Sequence, residues 1–357
     1  MYPASVMANP FQMDRLGIVM QPDLSRPEEI EGVLNPAVAR GPDGDLYLFP
    51  RLVGQGNYSR IGIARVRFDD AGNPTGVQRL GYALEPREPY ELRPQEGTGG
   101  CEDPRVTYVA PLGVYVMAYV AWGPDGPRLA LAVSHDLLSW QRLGLVNFEP
   151  DPDPLYDVIF DDYHNKNGAF FPDAIPGPHG RLCLALVHRP VYDEESVPRG
   201  VADPRPSIWF LYCPLADAQR DIQALGTLRE HRVLINPQYE NKLRIGGGTP
   251  PLRTRLGWLL IYHGVEGYIA KRPGERQRVC YDAGALVLDN HDVRRVLYRS
   301  PSPILTPETD EELRGIVPNV VFPTGIDDRG NGRVDVYYGM ADQRIGVARL
   351  QVPAALP

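Results

Sequence analysis

Apolar residues in this chain fall in short runs punctuated by glycine, proline and aspartate, and no long segment repeats them at the helical period of about 3.6 residues. Runs such as Asp45–Arg51, Val114–Val120, Arg181–His188, Trp258–His263 and Val334–Gly339 are bounded by turn signals, which predicts strands. The same order then recurs. Asn35–Arg40 leads through the turn Gly41–Gly44 into Asp45–Arg51 and on to Arg60–Arg65. Glu102–Thr107 leads through Pro111–Gly113 to Val114–Val120 and Arg128–Val133. Lys166–Phe171, Arg181–His188 and Ser207–Leu211 make a third copy. Gly246–Pro251, Trp258–His263 and Ala283–Leu288 make a fourth, and Asn319–Pro323, Val334–Gly339 and Arg344–Arg349 a fifth.

The clearest internal echo is Arg60-Ile-Gly-Ile-Ala-Arg65 against Arg344-Ile-Gly-Val-Ala-Arg349. Five units of roughly 65–80 residues, each a set of short strands, predict an all-β fold, a five-bladed β-propeller. Short helical turns are expected only at Ser134–Trp140 and Thr306–Arg314. Residues 1–30 read as an irregular, proline-rich extension wrapping a single domain over 31–357. In a propeller the first strand of each blade lines the central channel. Asn35, Asp103, Lys166, the Gly246–Pro251 loop and the region before Phe322 should therefore face one funnel.

Composition narrows the function. A chain of 357 residues can bury a large core. Its net charge of −8 argues against a general nucleic-acid or membrane-surface binder, while leaving room for a local basic pocket. Cys101, Cys183, Cys213 and Cys280 are far apart and read as buried thiols in a reducing compartment. The first twenty residues show no signal-peptide pattern and no run reaches the length of a membrane span, so a cytoplasmic protein is expected. Histidines are few and unpaired, which speaks against a metal site.

The candidate chemistry centres on Gly99-Gly100-Cys101-Glu102-Asp103-Pro104-Arg105, two carboxylates between a glycine pair and a proline. Asp103 is the candidate proton donor. Glu102 and partial burial would raise its pKa and Arg105 would lower it, so the direction stays open. Only one carboxylate is strongly placed. An inverting glycosidase that uses water needs two, whereas a phosphorylase needs only the acid because phosphate is already an anionic nucleophile. Arg128, Arg142, Lys166 and His263 are the candidate phosphate cradle, since arginine forks and a lysine point charge suit a dianion. Singly, Arg128 and Arg142 read as ion-pair residues and His263 as a core histidine. His188 and Arg189 suit substrate or structure equally. Tyr338 and Asp342, in Tyr337–Asp342, offer a ring and a carboxylate to a sugar or belong to the core and a turn. Asn35 and Arg51 bind hydroxyls or cap turns.

At these residues the chain resembles glycoside hydrolase family 130, the inverting β-mannoside phosphorylases on a five-bladed propeller. The resemblance rests on Glu102–Arg105, Lys166–Pro172, His188–Pro190, Gly246–Pro251, Trp258–Val265, Val317–Pro323 and Tyr337–Asp342, in that order. It implies Asp103 as general acid, relaying its proton through the mannose 3-hydroxyl. It also implies Arg128, Arg142, Lys166 and His263 around phosphate, and Asn35, Arg51 and Asp342 on mannose. Glu102, His188, Arg189 and Tyr338 complete the expected substrate site. The implied reaction is phosphorolysis of a β-1,4- or β-1,2-linked mannoside to α-mannose 1-phosphate, with phosphate as co-substrate and no cofactor. The alternatives are an inverting hydrolase on the same fold and a non-catalytic glycan-binding propeller. Two charged segments, Pro190–Pro206 and Gly267–Tyr281, depart from the family pattern where a lid over the acceptor would lie; the first is also a candidate contact in a homo-oligomer.

Overall fold

The structure is a computed structural model that describes residues 9–93, 97–150, 156, 160–192, 195–239, 242–269 and 278–357. The fold is all-β. The first described strand, β1 (Met13–Met20), is separated by a 3-10 turn from an antiparallel run of β2 (Gly32–Arg40), β3 (Leu46–Gly54), β4 (Tyr58–Phe68) and β5 (Pro74–Leu84). A second run holds β6 (Gly99–Val109), β7 (Val114–Gly123), β8 (Gly126–Ser134) and β9 (Gln141–Leu145). The two runs are stitched by a short parallel pairing of Tyr58 and Ser59 with Gly99 and Gly100.

After β10 (Asn147–Phe148) come β11 (His164–Phe170), β12 (Ile175–Pro176), β13 (Leu182–Val191), β14 (Ile208–Pro214) and β15 (Thr227–Ile235). Their sheet runs β10-β15-β14-β13-β11, and the helix α1 (Leu215–Arg220) follows β14. The fourth sheet holds β16 (Lys242–Gly247), β17 (Leu252–Thr254), β18 (Gly257–Tyr268), β19 (Arg278–Leu288) and β20 (Val296–Arg299). The last holds β21 (Val321–Gly330), β22 (Arg333–Met340) and β23 (Arg344–Gln351), preceded by α2 (Asp310–Leu313). Its outer strand is β1, paired antiparallel to β23 from Met13–Leu350 to Met20–Ile345. The N-terminal segment is thus partly a strand that completes the sheet of the C-terminus.

The core explains the sequence pattern. It consists of five apolar clusters, each lying between two successive strand groups. One joins β3 and β4 to β7 and β8 through Phe49, Ile61, Tyr119 and Ala130, and another joins β3 and β4 to β22 and β23 through Leu48, Ala64, Tyr337 and Val347. Middle strands are covered on both faces, so Val114–Val120 and Gly257–Val265 are buried throughout and read as continuous apolar runs. The outermost β5, β9 and β20 are half exposed and mix polar with apolar residues, which is why only three strands per unit stand out in the sequence. Ser134–Trp140 forms turns held by Ser134 and Asp136 side chains instead of a helix. The Thr306–Arg314 expectation is met by α2, with a Thr309–Glu312 capping box.

Candidate active site

Three leading strands break their pairing at one level. The register slips between Leu34 and Ala37 in β2, between Glu102 and Arg105 in β6, and between Lys166 and Ala169 in β11. Each slip holds a left-handed residue: Asn35 (φ 44°), Asp103 (φ 44°) and Asn167 (φ 61°). Asn and Asp tolerate this region because their short polar side chains bond locally. A bulge also re-aims a side chain out of the ladder. All three line a polar cavity of about 150 Å³ together with Arg51, Lys166, Arg189, Arg244, His263, Tyr281, Phe322 and Asp342.

One half of this cavity is acidic. Asp103 Oδ1 accepts from Asn35 Nδ2 at 2.9 Å and from Arg51 Nη1 at 3.1 Å. Arg51 donates also to Glu102 Oε1 (2.7 Å), Asn57 Oδ1 (2.8 Å) and Ser59 Oγ (2.9 Å), four of its five N–H groups with the bond to Asp103. Burial pushes the Asp103 carboxyl up, but Arg51, Arg105 and Lys166 outweigh it and hold the group below the ordinary carboxylate range. Asp342 differs: burial dominates and Asp103 and Glu102 add repulsion, so its pKa rises to about 6. It sits just past β22 at φ 52°. Lys166 Nζ lies 3.7 Å from Glu102 Oε2 and 4.3 Å from the Trp122 ring centre, and burial draws its pKa down.

The other half is cationic. Arg189 is buried, donates from Nε to Asn167 Oδ1 at 2.9 Å, and its Nη1 has no partner among the described residues. Burial and the neighbouring Arg244 lower its pKa to about 9, still charged at neutral pH. Arg244 Nη2 donates to the Tyr281 hydroxyl at 2.7 Å, and its buried Nε has no partner among the described residues. His263 is buried against Phe322 and Tyr281, with ring centres 4.3 and 6.1 Å away. Burial, then Arg189, Arg105 and Arg244, hold it far below the usual histidine range, so it is a neutral imidazole.

The cavity thus gathers Asn35, Arg51, Asp103, Lys166, Arg189, His263 and Asp342 of the expected site. Glu102 stands behind it, almost fully buried, bridging Arg51 and Lys166. Four expected residues, Arg128, Arg142, His188 and Tyr338, are not among those that line the cavity. Arg142, on β9, makes a two-pronged pair with buried Glu91 at 2.8 and 3.0 Å and does not reach the cavity. Arg128 faces Asp161 at 3.9 Å. His188 lies on the opposite face of β13 from Arg189, in the core between Phe148 and Phe160, with Nδ1 3.0 Å from Asn165 Oδ1. The Tyr338 hydroxyl donates to Glu312 Oε1 at 2.8 Å inside the core. His263, counted among the cations, is neutral.

Besides Arg51 and Lys166, the arginines that line the cavity are Arg189 and Arg244, with Asn167 and Tyr281 beside them; Arg244, Asn167 and Tyr281 escaped the sequence reading. Asn167 alone carried a signal, the Asn-Gly pair at the place where the other units carry Asn-Pro and Asp-Pro. The Pro190–Pro206 and Gly267–Tyr281 segments lie partly outside the described residues, at 193–194 and 270–277. Among the described residues no group of three or more His, Cys, Asp and Glu is arranged to hold a metal ion.

The cavity thus sets carboxylates on one side against two buried arginines on the other, on an all-β scaffold. The chain belongs to glycoside hydrolase family 130: the family profile, described as beta-1,4-mannooligosaccharide phosphorylase, matches residues 12–356. A 1,2-beta-oligomannan phosphorylase of Thermoanaerobacter sp. (strain X514) is 29% identical over 342 residues, covering 94% of this chain and 95% of that protein. A beta-1,2-mannobiose phosphorylase of the same organism is 32% identical, over 72% of this chain and 68% of its own length. Among solved structures, the Listeria innocua beta-1,2-mannobiose phosphorylase in complex with beta-1,2-mannobiose superposes with TM-score 0.65 at 22% identity, covering 98% of this chain and 93% of that one.

Proposed function

We propose that this protein is an inverting phosphorylase that cleaves a β-mannoside with inorganic phosphate, releasing α-mannose 1-phosphate and a shortened acceptor. The observation that carries the reading is the pair Arg189 and Arg244, which both line the cavity and each keep a buried guanidinium nitrogen with no hydrogen-bond partner among the described residues. Two neighbouring cations left in this state are costly unless an anion completes them. Phosphate fits the vacancy, with the neutral His263 and the Tyr281 hydroxyl able to donate to its oxygens.

The mannosyl unit then lies between this cradle and Asp103, with Asn35, Arg51 and Asp342 around its hydroxyls. A phosphate oxygen attacks the anomeric carbon as the glycosidic C–O bond breaks, and Asp103 supplies a proton to the departing oxygen. The proton carried by hydrogen phosphate restores Asp103 at the end of the cycle. The surrounding cations favour the ionised form of Asp103, and a phosphate anion beside them offsets their charge and raises its affinity for a proton. Fixed charge of this kind is commonly the largest catalytic contribution.

The five interfacial cores, the last joining the final strand group to the first, support a closed five-bladed propeller for the whole chain. Among the described residues no helix is long and apolar enough to cross a membrane. The four cysteines are all free, which suits the reducing cytoplasm. The test is product analysis on β-1,2- and β-1,4-mannobiose with and without phosphate. The expected product is α-mannose 1-phosphate, formed only when phosphate is present. Free mannose released at the same rate without phosphate would establish a hydrolase instead.

A further inference from the structure

Arg105 is fully buried, and among the described residues it has no carboxylate within ion-pair distance. Its guanidinium is spent on main-chain oxygens. Nη1 donates to the carbonyl of Asp103 at 2.8 Å, Nε to that of Gly248 at 3.0 Å and Nη2 to that of Gly247 at 3.3 Å. These two anchor points belong to opposite halves of the cavity. The first is the backbone of the acid. The second is the glycine segment continuing β16, in which Gly246 pairs with His263 of the cationic half. The segment is itself tightly seated: a Cβ on Gly248 would stand 2.2 Å from the Ile261 carbonyl oxygen and 2.8 Å from that of Pro323. The Arg105 guanidinium also packs on the Phe322 ring, 5.7 Å from its centre, and Phe322 touches His263.

We infer that Arg105 is a positioning residue: a rigid strut that sets the separation between the Asp103 carboxylate and the phosphate cradle around His263. The inference rests on the phosphorylase reading above. A planar fork with fixed donor directions holds two backbone segments at a set spacing, which the compact, rotatable ammonium of a lysine does not. In-line displacement requires acid, anomeric carbon and nucleophile to stand in one geometry, and a misplacement of about 1 Å costs on the order of 10² in rate. Neither half needs Arg105 to bind its own ligand. Loss of the strut therefore acts on turnover and spares binding.

The test is Arg105→Lys and Arg105→Gln, assayed on β-1,2-mannobiose and on 4-nitrophenyl β-mannoside with phosphate. Phosphate affinity is measured by calorimetry and folding by thermal melts. In a folded variant kcat on mannobiose is expected to fall on the order of 10²-fold, while phosphate Kd stays within about threefold. The loss should shrink to about tenfold or less on the nitrophenyl substrate, whose leaving group needs little protonation. Equal losses on both substrates, an unchanged kcat, or failure of both variants to fold would each overturn the inference and leave Arg105 a purely structural tie. If the wild-type protein turns over no β-mannoside with phosphate, it is the functional reading that fails, before Arg105 is tested.

Discussion

Asn35 and Asp103 stand on different strands, at matching bulges, with the same φ of 44°, and the Asn35 amide donates to Asp103 Oδ1 at 2.9 Å. The same oxygen takes Arg51, so the acid's orientation is fixed from two sides while its other oxygen is left for a ligand. Asn35 Oδ1 is buried against Gly339 and has no hydrogen-bond partner among the described residues.

Replacing Asp103 by Asn keeps a residue that accepts the left-handed backbone and an acceptor oxygen for Asn35 and Arg51, and removes the titratable carboxyl and its charge. Asp103→Asn should abolish phosphorolysis with a melting temperature close to that of the parent. Turnover within tenfold of wild type would remove the assignment of the acid.

Arg189 and Arg142 separate the anion site from the scaffold. Arg189→Met should lower kcat/KM for phosphate on the order of 10²–10³. Arg142→Met should instead strand the Glu91 carboxylate, which is fully buried, and destabilise the fold by about 3–5 kcal/mol with little effect per folded molecule. Phosphate saturation curves and denaturant melts on the two variants check both halves; the reverse pattern would return Arg142 to the cradle.

Gly339 is required by its neighbour more than by its own backbone. A Cβ there would come within 2.2 Å of Asn35 Oδ1. Gly339→Ala should displace the Asn35 amide, free Asp103 Oδ1 and lower kcat roughly as much as Asn35→Ala does. The double variant should then be no worse than either single one, because both break the same contact. Additive losses in that kinetic cycle would show that the two residues act separately.

Asp342 is costly to keep ionised. Its folded-state pKa of about 6 lies above the ordinary value, so the penalty is absent at low pH, grows as pH rises past the unfolded value and is complete above about 6. Asp342→Asn should therefore raise Tm by on the order of a few degrees at pH 7.5 and by less at pH 4.5. It should also weaken turnover, the usual cost of relieving a destabilised site. A gain that is the same at both pH values would contradict the burial argument.

The order of strands and the convergence of Asn35, Asp103 and Lys166 on one cavity were legible in the chain itself. Buried-on-both-faces strands such as Val114–Val120 are continuous apolar runs, and the Asn-Pro and Asp-Pro steps at 35 and 103 mark the bulges, because both signals are local. Which basic residues meet was not. Arg142 and Arg189 are both arginines on strands, but one turns outward to Glu91 and the other inward to Asn167. His188 and Arg189 are chain neighbours that pleat to opposite faces, one into the aromatic core and one into the cavity. Sequence by itself determined a repeating all-β chain with one acid at the head of its second unit. Tertiary packing decided the charge of His263 and the identity of the cationic pair, since burial and long-range convergence have no local signature.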